Sequence, residues 1–419
     1  MKQTLLIKFL ALILTFGICN FAFSQSAEND STETSFPEKV KNRSTFESIL
    51  AFPGKAIYFP FDVSFKILEQ SYHYLFDLRA IERFKEFLTT EDGRIGIRPT
   101  ANSLNGYGAR LFLYNVLGKT KINATTQFGE FPKANSTFEI AFPKDSFLNG
   151  SLTFFNEYNY RPNANFFGIG NRTNHADSTF LEEQFKSTLI YKFDLSKNFS
   201  VGLDFGYDLI EIGKGETPNT PQISRHYTGV GERAHFLETA SFLKANFTDN
   251  SGSPNAGNNS LLRFGYNQSV DDDKFSNLLF AFTTEQFLEI YHKRTISLKL
   301  GTDWRIKAGA GDEIAFYNLA FVGGNEILRG FDNKRFRDRG NAFGIFTYKF
   351  PVWKVIDGVI FYERGRVFKN VDDFSFNNWK ESFGGGLNFW TENGVVFQLT
   401  ASHSRENSFL FAFNFNAGI

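Results

Sequence analysis

The chain has 419 residues, and its 45 Lys and Arg residues balance its 45 Asp and Glu residues, so the formal net charge is zero. This balance excludes the basic surface that would attract nucleic acid, and the length is too great for one ordinary globular core. Phe occurs 54 times and Tyr 15 times, which is more aromatic surface than a soluble core readily buries. A barrel in a membrane can instead turn these rings toward lipid.

The first residues have the organisation of a secretory signal peptide. A positively charged start precedes an apolar run over 9–16, and Ala22 and Ser24 place small residues before a cleavage site. We therefore expect residues 1–24 to be removed on export. Cys19 is the only cysteine, so the mature chain would have no disulfide. Lipidation of Cys19 is the weaker alternative, because a bulky residue precedes it.

Two kinds of segment are predicted before the main domain. The stretch 25–43 is polar and charged, which is typical of a flexible periplasmic linker. Within 44–92, the capping box from Ser44 to Glu47 predicts a short helix, and a Phe-rich segment over about 63–88 has an apolar stripe. We expect these amphipathic helices to pack in the periplasm or, as the favoured alternative, to lie in the inner leaflet of the outer membrane.

From residue 93 to 419 the hydrophobic pattern alternates with a period of two, which is typical of strands with one apolar and one polar face. In the clearest segment, the apolar positions are Phe199, Val201, Leu203, Phe205, Tyr207 and Leu209. Sixteen such segments can be identified between 94 and 417, and no later stretch has the roughly 18–20 consecutive apolar residues of a membrane helix. The sequence thus predicts an all-β fold, a transmembrane antiparallel β-barrel of about sixteen strands, with short N-terminal helices at the periplasmic interface.

Connection lengths predict the orientation of this barrel. The long connections are 162–181, 211–233, 307–339 and 369–380, and each follows an odd-numbered strand. Since such barrels have short periplasmic turns and long outer loops, the first strand should start in the periplasm. The stretch 248–259 is an exception, because it would be a long connection on the periplasmic side.

The longest outer connection contains a glycine-rich motif. Its distinctive residues are Gly323, Gly324, Leu328, Arg329, Gly330 and Phe331. The glycines allow backbone conformations that are closed to other residues, and the arginine follows one apolar side chain and precedes another. Taken alone, the pattern is also compatible with an exposed loop that carries an incidental arginine.

The motif resembles that of the bacterial surface-antigen superfamily of outer-membrane assembly and translocation barrels, the BamA, TamA and FhaC type. Members have sixteen strands, and their sixth outer loop folds back into the lumen with a [V/I/L]-R-G-[F/Y] motif, which residues 328–331 match. The glycine-rich stretch 382–387 is also similar to the start of the family's fourteenth strand. The resemblance covers about 300–417, and the earlier strands only by architecture.

The resemblance also implies a partner for the loop arginine. In the family it contacts an acidic residue on strand thirteen within a pattern like F-x-D-x-G, which Phe361, Glu363 and Gly365 match with Glu in place of Asp. A guanidinium suits a carboxylate because its planar donors can bind both oxygens. We expect the Arg329–Glu363 pair to lock the loop inside the lumen.

Three features depart from the family pattern. A second acidic residue, often present on strand twelve, is replaced by Thr347. Glu363 shares strand parity with Phe361, so an inward Glu363 turns Phe361 inward too unless a bulge near Gly365 intervenes. Family members usually carry periplasmic POTRA domains, but only about 70 residues follow Ser24 before the first strand. The resemblance therefore implies a short branch without these domains and a separate periplasmic partner.

In the family, the last strand meets the first strand at a weak lateral seam. The residues predicted to line it here are Ile95, Ile97, Pro99, Phe411, Phe413 and Phe415. The first strand should end at Pro99, and proline cannot donate a ladder hydrogen bond. A short seam is what a lateral gate would need, although a short first strand without gating is the plainer alternative.

These motifs predict a membrane-remodelling barrel that assists insertion, assembly or translocation of proteins, or of lipids, at the outer membrane. Its expected partners are outer-membrane lipids, unfolded or partly folded membrane or secreted proteins, and a separate periplasmic protein, but no nucleic acid. A passive pore is the first alternative. A barrel-embedded hydrolase is the second, but His403 and Ser404 have no Asp at a useful spacing. We predict no enzyme activity, no cofactor and no metal site, and the acidic stretch 271–273 is more typical of a solvated turn than of a cation site.

Overall fold

The computed structural model describes residues 88–416, apart from gaps at 116–118, 130, 143–148, 174–177, 218–219, 251, 272, 311–312, 354–355 and 392–393. The predicted signal peptide and linker lie outside the described residues, as do the predicted helices up to residue 87. In the described part of the chain, no helix is long and apolar enough to cross a membrane.

Eighteen β-strands run through the described residues. They are β1 (Ile95–Asn102), β2 (Gly106–Tyr114), β3 (Thr120–Phe128), β4 (Lys133–Phe142), β5 (Gly150–Phe166), β6 (Ser178–Asp194), β7 (Phe199–Lys214), β8 (Arg233–Asn246), β9 (Gly257–Ser269), β10 (Asn277–Tyr291), β11 (Arg294–Lys307), β12 (Ala320–Val322), β13 (Phe336–Asp338), β14 (Gly340–Trp353), β15 (Ile356–Phe368), β16 (Lys380–Thr391), β17 (Gly394–Ser404) and β18 (Leu410–Asn416). Two single turns of 3-10 helix, Phe316–Asn318 and Val371–Asp373, lie in loops.

Sixteen of these strands form one closed barrel. Each pairs antiparallel with its neighbours, and β1 closes the barrel against β18. The chain order is interrupted once, because β12 and β13 form a separate two-stranded sheet within the connection from β11 to β14. The predicted barrel of sixteen antiparallel strands is confirmed.

The barrel wall separates side chains by their alternation along each strand. On β7, Leu203 and Phe205 are more than half exposed, whereas Gly202 and Asp208 are buried on the opposite face. Further large apolar side chains that are at least half exposed include Phe264, Leu288, Phe383 and Phe411. An outer surface rich in exposed aromatic and aliphatic groups is typical of a barrel wall that faces lipid.

Strands β5 and β6 are longer than predicted, at 17 residues each. The sequence predicted that β5 ends before Pro162, but the strand continues to Phe166. The register shifts between Arg161 and Ala164, which indicates a bulge. A bulge leaves one residue out of the hydrogen-bond ladder, so the proline is tolerated and the strand resumes beyond it.

The extended ends of β5, β6 and β7 carry a hydrophobic cluster, which we call the dome. Phe166, Phe180, Ile212 and Phe316 are fully buried in it. The ring of Phe316 makes edge contacts with Phe166 and Phe180, with centroids 5.3 and 5.2 Å apart. Because Phe316 precedes β12, the dome fixes the start of the long connection against the barrel wall.

The stretch 248–259, the exception among the predicted turns, is folded against the barrel. Its last residues belong to β9, and Asp249 Oδ1 accepts hydrogen bonds from three amides of the turn at 2.9 to 3.2 Å. Lys349 on β14 donates from Nζ to Ser253 Oγ at 2.9 Å and to the Pro254 carbonyl at 2.8 Å. The extra length is therefore used to reach β14, across the strands between them.

Candidate functional site

The candidate site centres on residues Ala320–Asp338, which comprise β12, its connection and β13 and which we call the inner hairpin. Arg329 Nε lies 2.7 Å from Glu363 Oε1 on β15, while Lys334 Nζ lies 3.8 Å from Glu182 Oε1 on β6. These strands belong to opposite walls of the barrel. A segment that contacts both walls lies within the barrel.

The glycine-rich motif forms the compact tip of the inner hairpin. Gly323 and Gly324 have φ angles of +114° and +111°, a region that favours glycine. The amide of Gly324 donates to the Phe331 carbonyl at 3.2 Å, and that of Phe331 donates to the Leu328 carbonyl at 3.0 Å. Leu328 also has a positive φ of +60°, and its side chain is buried with Phe331 in a small core. This burial compensates for an unfavourable backbone conformation.

Arg329 is held by both its side chain and its backbone. Its Nε donates to Glu363 Oε1 at 2.7 Å, and its amide donates to Glu363 Oε2 at 2.6 Å. Ser382 Oγ donates to the same Oε2 at 2.6 Å, and Ser402 Oγ donates to the Arg329 carbonyl at 2.6 Å. The Glu363 side chain has no exposed surface, so its charge is balanced entirely within the protein.

Phe361 belongs to this site as well. The register of β14 against β15 is continuous past Gly365, so no bulge resets the alternation and Phe361 points inward with Glu363. The guanidinium carbon of Arg329 lies 3.5 Å from the centroid of the Phe361 ring. A cation over an aromatic face is attracted by the ring's negative charge density. The shared parity therefore contributes a second partner for the arginine.

Two glycines of the sequence motifs leave space for the Phe361 ring and for the tip of the inner hairpin. A Cβ at Gly384 would lie 2.6 Å from Cζ of Phe361 and 2.2 Å from the Ala401 carbonyl oxygen. A Cβ at Gly365 would lie 3.2 Å from Cδ1 of Leu328. The missing side chains thus make room for the ring and the hairpin tip. Among the described residues, Thr347 does not contact the Glu363 carboxylate. Ser382 donates the additional hydrogen bond to that carboxylate.

Lys334 anchors the other side of the inner hairpin. Its Nζ shares Glu182 Oε1 with Arg161 Nη1, which is 3.1 Å from that oxygen. Burial lowers the pKa of Lys334 to about 8, although the negative charge of Glu182 opposes the shift. The guanidinium of Arg337 lies among three buried rings of the dome, with its carbon 5.9, 5.9 and 5.6 Å from their centroids.

Arg335 is an anchor that the sequence analysis missed. Its side chain is 1% exposed and binds both carboxylate oxygens of Glu406, from Nε at 2.6 Å and from Nη2 at 3.0 Å. Glu406 lies in the connection between β17 and β18, and no periodic pattern or motif relates it to Arg335. The sequence carries no signal that distinguishes Arg335 from the nearby Lys334, Arg337 and Arg339.

The described part of the seam between β1 and β18 has three register pairs. Its register pairs among the described residues are Thr100 with Asn416, Ala101 with Phe415 and Asn102 with Asn414, whereas β1 and β2 share eight pairs. Ile95, Ile97 and Pro99 pair with β2. Residues 417–419 lie outside the described residues, so no seam pair of Ile97 or Pro99 is described. Phe411 and Phe413 pair with β17.

Pro99 does not end β1, which continues to Asn102, so the predicted end of this strand was wrong. The Ser103 amide donates to the Phe413 carbonyl across the seam at 3.0 Å. Backbone groups of alternate residues point to the same side of a strand, so Pro99 faces β18 rather than β2. Because Pro99 lacks an N–H group only on the side of β18, the hydrogen bonds between β1 and β2 are intact and β1 continues past it. On the seam side, β1 has one hydrogen-bond donor fewer.

The hydrolase alternative depended on His403 and Ser404. As neighbours on β17 they point to opposite faces of the wall. Nδ1 of His403 lies 2.7 Å from the Ser408 carbonyl, and Ser404 Oγ accepts the amides of Glu406 and Asn407 at 3.2 and 3.1 Å. The two side chains thus contact the connection that follows β17 rather than each other. Among the described residues, no cluster of three or more potential metal ligands occurs.

No family model matches the sequence, and no curated protein matches it. Solved structures do resemble it. BamA from Haemophilus ducreyi lacking POTRA domains 1-3 has a TM-score of 0.58 at 14% identity over 76% of this chain and 69% of that chain. CdiB from Acinetobacter baumannii has a TM-score of 0.48 at 10% identity over 77% and 59% of the two chains, and CdiB from Escherichia coli a TM-score of 0.48 at 9% over 80% and 70%. At these identities, the likeness to the BamA barrel establishes a shared fold.

Proposed function

We propose that this chain is an integral barrel of the bacterial outer membrane that assists the insertion, assembly or translocation of proteins, or of lipids, there. Its N-terminus is periplasmic. Its partners are outer-membrane lipids, unfolded or partly folded membrane or secreted proteins, and a separate protein that handles these substrates in the periplasm. The observation that carries the proposal is a sixteen-stranded barrel with a pinned inner hairpin and a seam of three register pairs among the described residues.

The seam supports this function because, among the described residues, it leaves one end of β18 without a partner on the β1 side. Beyond Asn102 the chain turns into β2, so the outer end of β18 around Leu410–Ala412 pairs with β17 only. An edge with free amides and carbonyls can template an incoming strand. A substrate strand that paired there would enter the membrane with its backbone groups satisfied, which the bilayer requires.

Strand lengths around the barrel support an effect on the bilayer. Strands β1 to β3 have 8 or 9 residues, whereas β5 to β7 have 16 or 17. A tilted strand needs about 9–11 residues to cross the hydrocarbon core. The wall is therefore lowest beside the seam, and a hydrophobic surface that is too short thins the adjoining bilayer.

Depletion of the protein tests the proposal. We expect the amounts of other outer-membrane proteins, or of surface lipids, to fall before growth stops, and a plasmid copy of the wild-type chain to restore them. Quantitation of both classes identifies the substrate. Unchanged levels of both classes in fully depleted cells would reject an assembly or translocation role.

A passive pore is the second candidate, favoured by the polar side chains that line the inner wall. Its discriminating feature is conductance. The inner hairpin and dome should keep the wild-type conductance small, and Arg329→Ala should increase it by releasing the hairpin. A large, steady wild-type conductance that Arg329→Ala leaves unchanged would favour the pore.

A further inference from the structure

The inner hairpin contacts the protein on both sides of the seam. On the β1 side, Asn325 Nδ2 donates to Ser103 Oγ at 3.2 Å, and Ser103 is the residue whose amide makes the seam hydrogen bond to Phe413. On the β18 side, Arg335 binds Glu406 in the connection from β17 to β18. The inner hairpin thus links the two edges that a seam opening would separate.

The two halves of this link differ in strength. Arg335 donates to Glu406 at 2.6 and 3.0 Å and to Oγ1 and the carbonyl of Thr173 at 2.6 and 2.9 Å. Its guanidinium also lies between the rings of Phe167 and Phe336, 4.9 and 4.5 Å from their centroids. Charge-assisted, paired donors make strong contacts. The Asn325 contact is one neutral hydrogen bond in an exposed position, which is weak.

Further contacts strengthen the β18 side. Asn407 Nδ2 donates to the Gly330 carbonyl at 3.2 Å, and Ser402 Oγ donates to the Arg329 carbonyl at 2.6 Å. Both donors belong to β17 or to its connection with β18. The inner hairpin is therefore bound to the terminal hairpin β17–β18 at three places, and to the β1–β2 turn at one described place.

We propose that the inner hairpin is a latch across the seam, with Arg335–Glu406 as its fixed half and Asn325–Ser103 as its releasable half. When the seam opens, the latch stays with β17–β18 and parts from the β1–β2 turn. The latch rests on the proposed function, because it requires that seam opening is part of the protein's activity. Arg335 is a positioning residue, since it acts through the terminal hairpin.

Distances between spin labels across the seam test the latch. Labels on Tyr107→Cys in β2 and Phe409→Cys before β18 occupy exposed positions on opposite sides of the seam, in a chain whose Cys19 is replaced by Ser. The labelled protein is measured in lipid nanodiscs by pulsed electron paramagnetic resonance. We expect one dominant short distance for the otherwise wild-type chain.

The variants separate the two halves of the latch. Arg335→Gln and Glu406→Gln should each increase the population at longer distances by roughly tenfold, since either change removes the charge-assisted contact that holds the inner hairpin to the connection between β17 and β18. The double variant should do no more than either single variant, because both remove the same contact. Asn325→Ala should produce a smaller increase in the same direction.

Arg337→Gln is the matched control. Arg337 lies in the same hairpin and is equally buried, but it contacts dome rings rather than either edge of the seam. Its distance distribution should equal that of the wild type. The proposal is overturned if folded Arg335→Gln keeps the wild-type distribution or if Arg337→Gln changes it as much. If Arg335→Gln does not fold, Glu406→Gln decides by the same criteria.

The nanodiscs contain no substrate, so the latch and the proposed function fail independently. Normal levels of proteins and lipids after depletion, together with the expected distances, would reject only the function. A depletion defect together with unchanged distances in Arg335→Gln would reject only the latch.

Discussion

Arg329 lies over the ring of Phe361, with its guanidinium carbon 3.5 Å from the ring centroid. Two residues further along β15, Glu363 accepts a hydrogen bond from the same guanidinium at 2.7 Å. The ring contacts the flat face of the guanidinium, and the carboxylate binds its edge. The two contacts together restrain the position and the orientation of the Arg329 side chain. Phe361 therefore acts together with Glu363, and both depend on the alternation of one strand.

The Arg329–Glu363 contact should be strongly coupled. We expect Arg329→Ala and Glu363→Ala each to lower the free energy of unfolding by about 3–5 kcal/mol, because each strands a buried charge. The double variant should lose much less than the sum of the two. The measurement is a double-mutant cycle on denaturant-induced unfolding of the barrel in detergent micelles.

The pair Lys274–Glu232 is a matched control for this cycle, because both residues lie in connections outside the strands of the wall. Its atoms approach to 3.0 Å, but its side chains are 42% and 43% exposed. Its coupling should be about 0–1 kcal/mol, as is usual for surface pairs. Equal coupling in the two cycles would contradict a buried lock at Arg329.

Gly384→Ala should destabilise the barrel by about 1–3 kcal/mol, the usual cost of overpacking. The new Cβ would lie 2.6 Å from the Phe361 ring and 2.2 Å from the Ala401 carbonyl oxygen. At Gly385, the next residue, the nearest atom is the Val359 carbonyl oxygen at 3.1 Å. Gly385→Ala should therefore cost clearly less in the same unfolding assay. A similar loss in the two variants would show that the space beside Phe361 is not critical.

Gly330→Ala should displace the hairpin tip from the wall. Its Cβ would come within 2.6 Å of the His403 carbonyl oxygen and 2.8 Å of Ser382 Cβ. We expect trypsin to cleave the variant after Arg329 several times faster than the wild type, because the tip must move to relieve this clash. Gly344→Ala is the control, since its Cβ meets only a flexible Leu300 side chain at 3.3 Å. Wild-type cleavage of Gly330→Ala would show that the tip accommodates the methyl group in place.

Lys334 should make barrel stability depend on pH. Its pKa is about 8 in the folded protein and 10.5 in an unperturbed chain, so the unfolded state binds more protons between these values. Stability should therefore rise as the pH increases from about 8 to 10.5. Lys334→Met should flatten this rise in heat-unfolding midpoints, whereas Lys369→Met, at a side chain that is 58% exposed, should preserve it. A full rise in Lys334→Met would assign the effect to another group.

The number of strands, their antiparallel order and the outward position of the aromatic rings follow from the sequence itself. Alternation with a period of two is a property of the extended backbone, so Leu203 and Phe205 indicate their face without knowledge of any neighbour. In the same way, the sequence spacing of Phe361 and Glu363 shows that the two side chains lie on one face of their strand. The motifs around Arg329 and Glu363 indicated a pair that the structure brings together.

The contacts between residues far apart in the sequence depend on the closure of the barrel. Arg335 and Glu406 are 71 residues apart, and Arg335 and Thr173 are 162 residues apart, so they meet only after the wall brings their loops to one end. The side of β1 to which the Pro99 backbone points matters only once both neighbours of β1 are known, and one of them, β18, is the last strand of the described residues. Local patterns specify the face of a residue on its strand, but contacts between loops depend on the register and closure of the whole sheet.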